Sequence, residues 1–142
     1  MHMDIRALSP DFAVSPQITT AEVAILAEAG FTHVICNRPA FESAPEDAPD
    51  AIKAAVEAAG LGWTDNPLVS GQLTLDHVEA QKVEGKVLAY CASGTRSAIL
   101  WALSQAGKSA TDDIITALVQ AGYPLEGLRG QIEMLAQQRP DA

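Results

Sequence analysis

The chain is expected to fold as a single α/β domain, residues 1–142, built on a mostly parallel sheet of four to five strands flanked by helices. Three observations predict this. Short apolar runs rich in β-branched residues alternate with segments of helical periodicity, most of the helical segments stop at a glycine, and 142 residues at 48% hydrophobic content suffice for one core but not two.

Taken in order, the elements start with a short apolar stretch at 12–14. A helix begins at Thr19 or Thr20, where Thr19 with Glu22 reads as a capping box, and stops near Gly30. The run Phe31-Thr32-His33-Val34-Ile35-Cys36 follows as a buried strand. Residues 37–49 carry Pro39, Pro45, Pro49 and several acids, which predicts a long loop of the kind that often serves function. Asp50 is expected to cap a helix with Ile52, Val56 and Ala59 on one face, closed by Gly60, and Leu61-Gly62-Trp63 enters another strand. Residues 67–72 form a second loop. Thr74 caps a helix running to about residue 83 with Leu75 and Val78 inward, and Glu84-Gly85 turns into Lys86-Val87-Leu88-Ala89-Tyr90, the expected central strand. A helix at 97–106 follows, with Ile99, Leu100 and Leu103 at helical spacing and Gly107 as its stop. Ser109 with Asp112 opens the next, with Ile114, Ile115, Leu118 and Val119 inward and its end at Gly122. Leu128, Ile132 and Leu135 mark a last short amphipathic helix.

Nine Lys and Arg against 18 Asp and Glu leave a net charge of -9, which opposes sequence-independent attraction to nucleic acid or anionic membrane. No apolar run reaches the length of a membrane span, and the start Met1-His2-Met3-Asp4 lacks the basic and apolar regions of a signal peptide, so a cytoplasmic location is expected. Two cysteines, Cys36 and Cys91, each near the end of an apolar run, predict reduced thiols rather than a disulfide framework. The histidines are scattered, and neither a metal site nor a cofactor is expected.

Chemistry concentrates at Cys91-Ala92-Ser93-Gly94-Thr95-Arg96, directly after the expected central strand. In an open α/β sheet, ligands sit at the carboxyl ends of the strands. Ala92, Ser93, Gly94 and Thr95 are small or flexible, so their N–H groups can turn inward as a nest for an anion, and Gly94 permits the dihedrals this needs. The following helix adds its positive end, and Arg96 adds a planar fork of donors. Such surroundings bring thiols from about 8.5 down to roughly 3.5–7.5, which predicts Cys91 as a thiolate nucleophile. Ser97 either hydrogen-bonds that thiolate or caps the helix.

At these residues the sequence resembles the cysteine-loop superfamily of protein tyrosine phosphatases, dual-specificity phosphatases and rhodaneses. It is more closely similar to the phosphatase-like domain of beta-lactamase-hydrolase-like proteins, a bacterial family also labelled as sulfur transferases. The stretches that carry the likeness are Val34-Ile35-Cys36-Asn37-Arg38-Pro39, Ala58-Ala59-Gly60-Leu61, and above all Leu88 to Ala102 around Cys91, within about residues 10–120. The resemblance implies a compact protein tyrosine phosphatase-like fold with Cys91 as nucleophile and Arg96 as anion binder. This chain departs from the family pattern at Ala92, where an arginine often follows the cysteine, and at Ala40, where an acid often follows the Arg-Pro pair.

The loop holds four residues between Cys91 and Arg96, the count of rhodanese-like loops, where tyrosine phosphatases resemble one another in having one more. A tighter ring of amides suits a single sulfur on Cys91 better than a phosphoryl group with three oxygens to satisfy. Related phosphatases also use an aspartate on the loop after the preceding strand, whereas the matching segment here, Pro67-Leu68-Val69-Ser70-Gly71-Gln72, has no carboxylate and Asp65 and Asp76 flank it. The expected function is therefore a rhodanese-like sulfurtransferase that takes sulfur from a thiosulfate or glutathione persulfide donor as a Cys91 persulfide and passes it to a thiol acceptor. The alternatives are a phosphatase-like hydrolase working through a Cys91 phosphocysteine, and a catalytically weak anion-binding or sulfur-relay module. The resemblance further implies a persulfide-oxidising partner enzyme.

Arg38 lies at the carboxyl edge of the sheet and reads equally as a substrate-anion ligand and as a salt-bridge partner of Glu42 or Glu46. Cys36 reads as a core cysteine before it reads as a resolving one. His33 and His77 sit inside expected elements without a catalytic role, Trp63 and Trp101 look like core or pocket wall, and Tyr123-Pro124 looks like a turn.

Overall fold

The computed structural model of the protein describes residues 3–138. Met1 and His2, from the start read above as lacking a signal peptide, and residues 139–142 of the expected domain lie outside the described residues. Five strands, β1 (Arg6–Ser9), β2 (Phe12–Ser15), β3 (His33–Cys36), β4 (Gly62–Asp65) and β5 (Val87–Tyr90), form one sheet in the order β1-β2-β5-β3-β4. β5 is the central strand, as its apolar run predicts. It pairs in parallel with β2 (Val14 opposite Ala89) and with β3 (Ile35 opposite Ala89), β4 extends the parallel part beyond β3, and β1 turns back antiparallel on β2. The carboxyl ends of four strands therefore meet along one edge. The sheet is α/β and mostly parallel, flanked by helices.

Successive side chains along a strand point to opposite faces, and both faces here are covered. Phe12, Val14, Ile35, Val87 and Ala89 pack under α3 (Leu75–Ala80), α4 (Thr95–Ser104), α5 (Thr111–Gln120) and α6 (Arg129–Gln137), which contribute Val78, Leu100, Ile114, Leu118 and Ile132. Ala13, Val34, Cys36, Leu88 and Tyr90 pack under α1 (Val23–Glu28) and α2 (Pro49–Ala58) with Leu26, Ile52 and Val56. The two faces never share a strand residue. Among the described residues, no helix is long and apolar enough to cross a membrane.

The Thr19 and Glu22 capping box forms as expected, ahead of a 3-10 turn that leads into α1. Several expectations need correction. β1 is an additional strand, unannounced because its pattern is brief and half polar. α2 starts on Pro49 with Ala48 as its cap, since proline fits the first helical turn, and Asp50 is an acid of that turn rather than the cap. α5 starts at Thr111 with Ala110 as cap and no side-chain capping bond, so Ser109 does not open it. α4 begins at Thr95, two residues before the expected start, because Gly94 supplies its entry. Leu75 and Val119, expected inward, are 61% and 48% exposed, as their helices are short and each shows only a narrow stripe to the sheet.

Candidate active site

The loop after β5 is fastened on both sides before it turns. The Cys91 N–H donates to the Ser15 carbonyl at 3.4 Å, the Asn37 N–H donates to the Tyr90 carbonyl at 2.8 Å, and the Gln17 N–H donates to the Ala92 carbonyl at 3.3 Å. Cys91 thus sits at the carboxyl edge, where the neighbouring strand ends hold it. Gly94, with φ +95°, then reverses the chain into α4 and points its N–H at Cys91 Sγ, 3.1 Å away. A side chain at Gly94 would be strained in that conformation and would overlap the Tyr123 hydroxyl. That hydroxyl donates to the Ser93 carbonyl at 3.2 Å, so the turn after α5 braces the loop from behind. The Arg6 guanidinium lies 5.1 Å from the centre of the Tyr123 ring.

The expected nest is partly realised. Gly94 turns its amide to the sulfur, while the Thr95 N–H donates to Ser93 Oγ at 3.3 Å, and the Ser93 hydroxyl donates to Thr95 Oγ1 at 3.0 Å. Ala92 and Ser93 are exposed. Ser97 is buried in the first turn of α4 and does not cap it; its Oγ has no hydrogen-bond partner among the described residues. Cys91 itself has no exposed surface.

Arg96 is held in a fork by one carboxylate. Its Nη1 and Nη2 donate to Glu42 Oε2 and Oε1 at 3.0 and 2.7 Å, and Nη1 also donates to the Leu68 carbonyl at 2.7 Å. The hydrogen bonds from Arg96 hold the Glu42 carboxyl below its ordinary range, and Glu42 in turn raises Arg96, with negative charge on the nearby Cys91 sulfur acting in the same direction. Arg38 joins the same group: its Nη1 donates to Gln17 Oε1 at 3.0 Å, and its Nε lies 3.6 Å from Glu42 Oε1, an ion pair too long to be a hydrogen bond. Of the two acids weighed for Arg38, Glu42 is its partner.

A buried amide cluster ties the floor together. Asn37 follows β3, Asn66 follows β4, and Gln81 follows α3. Asn37 Nδ2 donates to Gln81 Oε1 and to the Asn66 carbonyl, Gln81 Nε2 donates back to Asn37 Oδ1, and Asn66 Nδ2 donates to Gln81 Oε1, all at 2.8–2.9 Å. Beside them, His77 accepts from the Thr74 N–H at Nδ1 and meets the Pro67 carbonyl at Nε2, 2.9 Å away, which places its proton on Nε2. His77 thereby anchors the loop that carries Leu68.

Cys36 is also fully buried, on the α1 and α2 side; its thiol donates to the Arg38 carbonyl at 3.3 Å and burial pushes it up. Asp65 sits on the same face as Trp63, turned toward Asp50 and Lys53 of α2, and burial raises its carboxyl. That is the face opposite Ala89. Asp76 is an exposed residue in the first turn of α3, His33 starts β3 at the far end of the sheet against Thr64, and Trp101 is core. Sequence reasoning missed Tyr123 and the amide cluster. An amide directly after each of two strand ends was the available signal.

Residues 4–108 match the family described as beta-lactamase hydrolase-like protein, phosphatase-like domain. Two curated beta-lactamase hydrolase-like proteins, from two strains of Xylella fastidiosa, are similar at 32% identity over 119 residues and 30% over 145. These matches take in 79% and 97% of this chain, which spans 28% and 34% of the length of those relatives. A crystal structure of a candidate phosphatase from Neisseria meningitidis is 32% identical, with a TM-score of 0.79 over 94% of this chain and 99% of that one. The active form of a protein named Tk-PTP shares the fold, with a TM-score of 0.69 at 16% identity over 98% of this chain and 99% of its own.

Proposed function

This chain belongs to the family of the beta-lactamase hydrolase-like protein, phosphatase-like domain, and from that premise we propose that it is a cysteine-dependent hydrolase of small phosphate monoesters with Cys91 as its nucleophile. The observation that carries the reading is the Gly94 N–H aimed at Cys91 Sγ at 3.1 Å, beside Arg96 and at the mouth of the central strand. The phosphatase-like relatives favour phosphoryl over sulfur chemistry, and this displaces the sulfurtransferase from first place.

In the proposed reaction the Cys91 thiolate attacks phosphorus, the S–P bond forms, and the P–O bond to the leaving group breaks. Water then attacks the phosphocysteine, the S–P bond breaks, and phosphate leaves. Arg96 and the inward amide stabilise the oxygens in both steps. Because Cys91 has no exposed surface, the groups over its sulfur shift to admit a substrate. The leaving oxygen receives little help: Glu42 is held as a carboxylate by Arg96, and Asp65 faces α2. Esters of acidic alcohols, such as aryl phosphates, are therefore the preferred substrates.

That same orientation of Asp65 favours a second reading. Transfer of sulfur through a Cys91 persulfide expels sulfite or a thiolate, neither of which needs a proton, and it would require a thiol acceptor and agree with a persulfide-oxidising partner. Incubation with an aryl phosphate or with thiosulfate, followed by intact mass and product release, separates the two. Phosphate release lost in Cys91→Ser supports hydrolysis. A stable gain of one sulfur atom at Cys91 without phosphate release overturns it in favour of transfer.

A further inference from the structure

Gln81 closes α3, and its side chain, on a residue 1% exposed, is directed wholly at the strand ends beside the Cys91 loop. Its Oε1 accepts from Asn37 Nδ2 and from Asn66 Nδ2, each at 2.9 Å, and its Nε2 donates to Asn37 Oδ1 at 2.8 Å. For stability alone an apolar side chain at this place would serve about as well, since a buried hydrogen bond gains little over the bonds to water it replaces. What a satisfied amide cluster adds is a single allowed arrangement of the segments it joins. That arrangement reaches the site by two short routes, both through Asn37. The Asn37 N–H donates to the Tyr90 carbonyl at 2.8 Å, one residue before Cys91. The Asn37 carbonyl accepts from the Leu68 N–H at 3.0 Å, and the Leu68 carbonyl accepts from Arg96 Nη1 at 2.7 Å. Asn66 fixes the start of the same loop, its N–H donating to the Cys36 carbonyl and its Nδ2 also to the His77 carbonyl, both at 2.9 Å.

We propose that Gln81 is a positioning residue for the reaction at Cys91. By holding the Asn37 and Asn66 amides it sets where the Leu68 carbonyl stands, and so the direction in which the Arg96 guanidinium faces an anion at the sulfur. Gln81 itself touches neither Cys91 nor Arg96. The inference rests on Cys91 and Arg96 acting as proposed above. It adds the residue, at the end of a helix outside the loop, that aims the arginine.

Gln81→Met keeps the length of the side chain and removes its hydrogen bonds. The placement of Arg96 is then read from the rates at which Cys91 is alkylated by iodoacetate, which carries a carboxylate, and by iodoacetamide, which is neutral, with labelling followed by peptide mass. Only the anionic reagent is drawn by Arg96, so the ratio of the two rates reports its placement, and Arg96→Ala gives the ratio with that attraction removed. Gln81→Met is expected to move the ratio most of the way to the Arg96→Ala value and to lower kcat/KM for an aryl phosphate on the order of 10- to 100-fold, the effect of a misplacement of about 1 Å. A variant that only loosens the fold moves both alkylation rates together and keeps the ratio; Val56→Ala, packed under the other face of the sheet, is the control for lost stability. A wild-type ratio in folded Gln81→Met overturns the proposal, and so does a wild-type ratio in Arg96→Ala, since there is then no placement to set. Should Gln81→Met not fold, Gln81→Glu, which keeps the acceptor and loses the donated bond, decides in its place: a ratio between the two limits upholds the proposal and a wild-type ratio overturns it. If the wild type releases no phosphate, the phosphoryl reading fails, while the alkylation ratio still tests whether Gln81 places Arg96.

Discussion

Cys36 ends β3 and Cys91 follows the end of its neighbour β5, and neither exposes any surface. They differ in the direction of their hydrogen bonds. Cys36 donates a hydrogen bond to the Arg38 carbonyl, lies among Leu26, Ile52 and Val56, and is pushed up by burial. Cys91 accepts a hydrogen bond from the Gly94 amide and has Arg96 beside it. One sulfur is arranged as a donor in an apolar layer and the other as an acceptor at the start of a helix. Accessibility cannot tell the two apart; the polarity of their partners does.

The widest separation between the two sulfurs should appear on removing each. Cys91→Ser is expected to lower turnover of an aryl phosphate by a factor on the order of 10⁴, whereas Cys36→Ala keeps the original rate and costs about 1 kcal/mol of stability in denaturant titration. Comparable losses of activity in both would erase the contrast. Gly94→Ala attacks the acceptor arrangement itself: strain at φ +95° and the overlap with Tyr123 should cost about 1–3 kcal/mol and lower turnover on the order of 100-fold. A variant of normal stability and rate would show that the turn is not needed.

The Arg96 fork should respond to acid. Glu42 has its carboxyl held below the ordinary value of 4.5, so the pair's contribution is complete above that pH and is lost as pH falls through the lowered value. Melting temperatures measured downward from pH 5 should fall more steeply in the wild type than in Glu42→Gln, which gives up about 1–2 kcal/mol at neutral pH, the partial exposure of both partners limiting the effect. Parallel curves would remove Glu42 from this role. Smallest is Tyr123→Phe, expected to lose about 1 kcal/mol with the bond to Ser93 and to lower kcat with KM little changed. Restoration of kcat by no other change than cooling would point to loosened loop motion rather than to lost binding.

The order of elements was legible because buried parallel strands are written as unbroken apolar runs and the helices between them as periodic ones. Lys86 to Tyr90 announced the central strand, and the glycine after Cys91 announced the turn that aims an amide at its sulfur. Less visible were features that depend on which face a side chain takes. Whether Asp65 serves Cys91 turns on the one-residue alternation along β4, which is fixed by Trp63 packing on the α1 and α2 side. Tyr123 read as a turn residue, since its partner Ser93 lies in a separate element. Ser109 resembled a helix cap by composition, yet the chain placed Ala110 there. Counting the residues between Cys91 and Arg96 favoured sulfur, but loop length constrains the shape of an anion site more than its reactant, and the relatives favour the phosphoryl alternative.

The amides of Asn37, Asn66 and Gln81 divide the site into parts with different freedom to vary. Each completes the others' hydrogen bonds away from water, so replacing any one leaves a buried donor or acceptor without a partner, at about 1–3 kcal/mol. Phe41, 79% exposed in the turn after β3, can change with little cost to folding. Drift or directed selection can therefore vary the exposed turn after β3 while the buried amides beneath it are inherited unchanged.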